Sequence, residues 1–229
     1  MVTARETGLL LFMEEARATA ARWKPEGLPA AAVSETVVAL HRDLLVNLGR
    51  SERVAIYLTP TREDDGPYAE TLAKEAGVDV LQVPDAPGLR RWDSALSILY
   101  NGCGHRKVLC ADGRVPDFYA EDVARAQSKL DLYEVVVGRE AQDRCWLIGM
   151  NGYHEVLGGA QARADDFIHP LLEAAGRTGV RISVLDTKHA LGPGVDLALL
   201  AGLARGGRHP RLRAALEEAG VAVRRGKAS

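Results

Sequence analysis

A three-layer αβα domain on a mainly parallel, twisted sheet is the fold this sequence predicts, on three observations. Short apolar runs recur along the chain, with the length and near-continuous hydrophobicity of strands covered on both faces. Between them lie segments whose apolar residues repeat at helical spacing. Strand and helix therefore alternate, which is the pattern of parallel strands joined by crossover helices. The third observation is an exception: one pair of runs is separated only by a polar loop, Gly138 to Arg144, too short for a helical crossover. That pair is expected to be antiparallel within the sheet.

The first strand is Leu9 to Met13, in an apolar run that starts at Gly8 and stops at Glu14 and Glu15. It is far shorter than the roughly 20 residues of a membrane helix and is not read as a leader. Pro29 to Leu48 is a helix with Val33, Val37, Leu40, Leu44 and Leu48 on one face, and His41 is placed on its surface or at an interface. The strand Val54 to Leu58 follows, then an acidic loop, Asp64-Asp65-Gly66, suited to cap the helix Tyr68 to Ala76. The strand Val78 to Val83 leads through the Pro-rich turn Pro84 to Gly88 into the helix Leu89 to Tyr100, where Trp92 is expected in the core and Arg90 and Arg91 outside it. The strand Lys107 to Cys110, the helix Asp117 to Leu130, the antiparallel pair Glu134 to Val137 and Cys145 to Gly149, the helix Asp166 to Arg177 and the strand Arg181 to Leu185 complete the sheet. One domain is expected over residues 1–205, followed by a C-terminal extension, 206–229. Gly206-Gly207 is expected to uncouple the helix Pro210 to Ala219, and the basic end Arg224 to Lys227 to be solvated, so that truncation after Gly206 leaves the fold intact.

The chain has 229 residues, enough for one large core, with 47% hydrophobic and 26% charged residues and a formal net charge of −2. Such a balance gives no basic field for nucleic acid. The three cysteines are scattered without a C-x-x-C pair, which argues against a disulfide framework or zinc and fits a reduced, cytoplasmic setting. Cys110, inside an apolar strand, is read as an inert core thiol. No histidine pair stands at metal-ligand spacing on a helix, and the chain has neither a Gly-x-Ser-x-Gly elbow nor a phosphate-binding Walker loop.

In α/β sheets, ligands sit beyond the carboxyl ends of the strands, where loops converge and helix N-termini supply positive potential. Asp112 stands at such an end. A carboxylate there can hold a divalent cation that neutralises a diphosphate, but Asp112-Gly113 is equally a turn dipeptide. Four pieces in order, Val108-Leu109-Cys110-Ala111-Asp112, Pro116-Asp117-Phe118, Val135-Val136-Val137-Gly138 and Trp146-Leu147-Ile148-Gly149, carry a resemblance from Leu9 to about Leu203. The sequence resembles a family of uncharacterised bacterial proteins with the glycosyltransferase-A fold, relatives of the nucleotidyltransferases that activate sugars and the molybdenum cofactor. The resemblance implies a nucleotide-diphospho-sugar transferase type of sheet and a nucleotide or nucleotide sugar as ligand. It also implies Mg²⁺ or Mn²⁺ held by Asp112.

The chain departs from that family at its ligand-facing positions. Where the family has a basic, glycine-containing loop after the first strand, this chain reads Glu14-Glu15-Ala16-Arg17-Ala18-Thr19-Ala20-Ala21-Arg22-Trp23-Lys24-Pro25, leaving Arg22, with Arg17 and Lys24 as substitutes, for nucleotide phosphates. Gln142-Asp143-Arg144 replaces an Asp-Gly-Gly, with Asp143 as a displaced metal ligand, and Ala190-Leu191-Gly192-Pro193-Gly194 replaces an acidic pattern near the C-terminus. Arg114 is expected either in the phosphate site as a fixed cation or in solvent, and Arg90 or Arg91 echoes an arginine-containing segment of the family near the nucleotide. Two functions remain open: a metal-dependent transferase acting on a nucleotide-activated donor, and a catalytically degenerate relative that binds a nucleotide weakly or a protein partner and self-associates as a homodimer.

Overall fold

The computed structural model describes residues 6–86, 88–141, 144–154, 157, 168–192, 195 and 197–223. Among them, seven strands, β1 (Thr7–Met13), β2 (Val54–Pro60), β3 (Asp79–Val80), β4 (Lys107–Asp112), β5 (Val135–Glu140), β6 (Cys145–Met150) and β7 (Ile182–Lys188), form one sheet in the order β3-β2-β1-β4-β6-β5-β7. The central strand β1 (Thr7–Met13) is buried along its whole length and pairs in parallel with β2 (Val54–Pro60) and β4 (Lys107–Asp112). Its side chains alternate between faces. Leu9, Leu11 and Met13 enter a core under α2 (Ala30–Leu48), α3 (Gly66–Ala76) and α5 (Ala120–Lys129), while Leu10 and Phe12 enter a second core under α4 (Leu89–Ser97) and α6 (Ile168–Thr178). The unbroken apolar run from Leu9 to Met13 is thus accounted for: the strand has no solvated face.

The short polar loop acts as expected. β5 (Val135–Glu140) and β6 (Cys145–Met150) form an antiparallel hairpin, and β6 also runs antiparallel to β4. Two glycines let this end of the sheet close. A Cβ on Gly138 would lie 2.4 Å from the Trp146 ring, which packs across it, and one on Gly113 would lie 2.8 Å from the Phe12 carbonyl oxygen, where the chain leaving β4 turns against β1. None of the helices among the described residues is long and apolar enough to cross a membrane.

Several elements differ from expectation for local reasons. The run at Val78 contributes only a two-residue edge strand, β3 (Asp79–Val80), because it has a partner on one side alone. The other edge, β7 (Ile182–Lys188), alternates buried and exposed residues instead of being covered on both faces, and leaves Val184 52% exposed. The segment after β1, read as a loop, contains α1 (Ala16–Arg22). His41 is not at the surface: it is 1% exposed on α2, with Nδ1 2.8 Å from the Tyr68 hydroxyl. The part of the helix expected from Asp166 that precedes Ile168 lies outside the described residues, as does the basic end Arg224 to Lys227.

The C-terminal segment is sewn to the domain. A third apolar core joins Val33, Val37 and Leu40 of α2 to Leu200 of α7 (Leu197–Arg205) and to Leu212 and Leu216 of α8 (Pro210–Glu218). At the start of α8, the backbone amides of Arg211 and Leu212 both donate to Asp43 Oδ2 at 3.0 Å. Asp43 is 1% exposed and belongs to α2, so one helix supplies the N-terminal cap of another.

Candidate nucleotide site

A cavity of about 270 Å³ opens at the carboxyl end of the parallel strands. Register builds its floor: Phe12 stands opposite Asp112 across β1 and β4, and the β5–β6 hairpin adds Glu140, Arg144, Cys145 and Trp146. Arg91 and Trp92, from the first turns of α4, close one side. Phe12 and Trp92 pack with ring centroids 5.0 Å apart, and the Arg91 guanidinium lies 5.7 Å from the Phe12 ring centroid. Arg91 is anchored by donating to the Pro60 carbonyl at 2.6 Å and to the Thr61 carbonyl. Its burial lowers its pKa from the ordinary value. Trp92, half-buried against the second core, and Arg91 therefore form a cavity wall, and Arg90 is exposed as expected while Arg91 is not.

Asp112 is both a turn residue and half of an ion pair. Its Oδ1 accepts the Arg114 backbone amide at 2.9 Å, and its two oxygens take the Arg114 side chain in a fork, Nε at 3.0 Å and Nη2 at 2.6 Å. Burial pushes the Asp112 carboxyl up, and the facing guanidinium and its hydrogen bonds more than reverse this, so its pKa falls below the ordinary value. The same contact raises the pKa of Arg114. A second fork joins Arg144 to Glu140 across the hairpin, with Nε to Oε2 at 2.6 Å and Nη2 to Oε1 at 3.1 Å.

Of the residues expected to form the site, Asp112 and Arg114 line the cavity and meet each other. Arg17, Arg22 and Lys24 are on or just after α1, exposed, and outside the cavity lining. Arg22 is paired instead with Glu14, which is 2% exposed and also accepts the Thr19 hydroxyl at 2.8 Å. Asp143 lies outside the described residues. Among those described, no three His, Cys, Asp or Glu side chains are grouped to hold a metal ion, and the oxygens of Asp112 already accept from Arg114. The described donors do not fit a divalent cation.

The Glu140–Arg144 pair was missed in the sequence. Its signal was a Glu and an Arg four apart astride a hairpin turn, a spacing that joins two strand ends across the sheet as readily as it joins two turns of a helix. Phe12 carried none, because an aromatic in an apolar strand looks like any other core residue.

No family model and no curated protein matches the sequence. The fold does have solved counterparts. A protein from Desulfovibrio desulfuricans, provisionally assigned as a nucleotide-diphospho-sugar transferase, superposes with a TM-score of 0.72 at 17% identity over 93% of this chain and 98% of its own. The 4-diphosphocytidyl-2C-methyl-D-erythritol synthase of Anaerococcus prevotii gives 0.56 at 10% identity, over 84% and 93%. A cytidylyltransferase from Leptospira borgpetersenii gives 0.55 at 12%, over 98% of both chains. Over nearly its whole length, the chain has the nucleotide-diphospho-sugar transferase type of fold.

Proposed function

We propose that this protein binds a nucleotide-activated donor, such as a nucleotide sugar, in the cavity at the carboxyl end of the sheet, as a relative of transferases that use such donors. The observation that carries this is the pairing, in one cavity, of an aromatic wall, Phe12 and Trp92, with three guanidinium groups, Arg91, Arg114 and Arg144. A planar ring and an anionic phosphate are the two chemistries that such a lining recognises. The neighbours in fold support it, since they include a cytidylyltransferase and a 4-diphosphocytidyl-2C-methyl-D-erythritol synthase.

A second reading, nucleotide binding without turnover, has its own support. Asp112 and Glu140, the carboxylates on the cavity, are both held by arginines, which takes from each the role of metal ligand or general base. Calorimetry with nucleoside diphosphates and nucleotide sugars tests the shared claim. Without a glycine-rich phosphate loop, dissociation constants on the order of 0.1–1 mM are expected. Absence of heat at millimolar ligand refutes nucleotide binding, and low-micromolar affinity refutes the weak site. Release of free nucleotide from a bound nucleotide sugar separates transferase from binding module.

A further inference from the structure

At this sheet end, three strands each deliver one carboxylate, and each carboxylate is covered by an arginine. Glu14 follows β1, Asp112 ends β4 and Glu140 ends β5; they pair with Arg22, Arg114 and Arg144. In every pair the acid is the more buried partner: 3% against 44% exposure, 14% against 22%, and 5% against 32%. A metal site needs the reverse, with carboxylate oxygens turned toward the ligand and a cation bridging them to phosphate. In the two pairs on the cavity, Asp112–Arg114 and Glu140–Arg144, the guanidinium is the more exposed member. The cavity lining, with Arg91, Arg114 and Arg144 against Asp112 and Glu140, carries one positive charge in excess among the described residues.

Resting on the nucleotide reading above, we infer that the phosphate subsite is metal-independent: Arg114 and Arg144, each fixed by its own buried carboxylate, supply the positive charge that a divalent cation would otherwise bring to a phosphate or diphosphate group. The physical basis is preorganisation. A guanidinium forked onto a carboxylate has lost its rotational freedom during folding, so it binds an anion without the entropic cost of ordering a long side chain. Arg114 is held twice over, because the carboxylate that takes its guanidinium also accepts its backbone amide. Arg91, anchored to the carbonyl oxygens of Pro60 and Thr61 at the end of β2, holds the opposite wall.

The test is titration of the full chain with inorganic pyrophosphate and, separately, with a nucleoside diphosphate, each in EDTA and in Mn²⁺. Wild type is expected to bind both with affinities that agree within about 2-fold in the two buffers. The double variant Glu140→Gln/Arg144→Gln removes both charges of one pair together, and is expected to lose about 10-fold or more in affinity for both ligands, a typical loss for one charge-assisted fork. Should that variant fail to melt cooperatively, Arg144→Lys, which keeps the charge and loses the fork, is read instead, with a loss of about 3-fold or more. Nucleoside diphosphate binding that requires Mn²⁺, or binding unchanged in the folded variants, overturns the arginine site and leaves the nucleotide reading standing. Pyrophosphate binding in EDTA that is lost in the variant, with a nucleoside diphosphate binding no tighter than pyrophosphate, supports the arginine site and removes the nucleotide reading. Binding of neither ligand in either buffer overturns both.

Discussion

At the residue scale, Asp112 shows how a single carboxylate can be used up by its own loop. Its oxygens accept the amide and the guanidinium of Arg114, two residues on, so its charge is matched before any ligand arrives. Removing one partner of a mostly buried pair leaves the other uncompensated. Asp112→Ala is therefore expected to cost about 2–3 kcal/mol in denaturant unfolding, with Mn²⁺ stabilising neither wild type nor variant. A wild-type melting temperature that rises with Mn²⁺ and no longer does so in Asp112→Ala would return the residue to the metal. His41 makes a prediction about acid. Burial pulls its pKa from the ordinary 6.5 down to about 4, with Asp112 raising it and Arg114 lowering it by lesser amounts. The unfolded chain then takes up a proton below pH 6.5 that the folded chain refuses until about pH 4, so the stabilising contribution is complete above pH 6.5 and is lost as pH falls through that interval. Urea titrations from pH 7 to pH 4 should show wild type losing up to about 3 kcal/mol more than His41→Gln. Equal slopes would mean that His41 is charged or hydrated in the fold. Burial lowers the pKa of His209 too, so the variant keeps part of the slope.

At the element scale, α8 is the piece whose sequence was most misleading. Gly206-Gly207 and a basic end look like a boundary, yet Pro210–Glu218 buries Leu212 and Leu216 completely against the core that α2 shares with α7. Each buried leucine contributes roughly 2–3 kcal/mol of burial, and deleting the helix also strips Asp43 of both amide donors and of Arg211. Those losses rival the 5–15 kcal/mol stability typical of a domain. A chain ending at Gly206 is expected to lose its cooperative thermal transition. If it melts like the full chain, α8 is a passenger. The double glycine was legible as a helix break but not as a hairpin that folds the next helix back, because a chain break and a chain reversal use the same residues.

At the scale of the whole molecule, the cavity exists because strand order and strand direction bring distant segments to one sheet end. Phe12 lies 100 residues before Asp112 and 134 before Trp146 of the β5–β6 hairpin, and the three meet through parallel register and one reversed strand. The reversal has a consequence for chemistry. Because β6 runs against its neighbours, its first residues, Cys145 and Trp146, reach the same end as the last residues of β4 and β5, and Arg144 arrives with them. Without the short polar loop that forces the hairpin, that arginine would stand at the opposite end of the sheet.

The sequence by itself determined the layered α/β architecture, the seven strand positions within a few residues, the antiparallel exception and the placement of Asp112 at a strand end, because each is written in local hydrophobic period and loop length. It also held Arg114 as a choice between fixed cation and solvated side chain. Only the tertiary structure decided that choice, along with the Glu140–Arg144 fork, the aromatic wall of Phe12 and Trp92, the burial of His41 and the docking of α8. The physical reason is the same in each case. Period and loop length are properties of neighbours along the chain, whereas ion pairing and burial depend on which groups register and helix packing bring within a few ångströms.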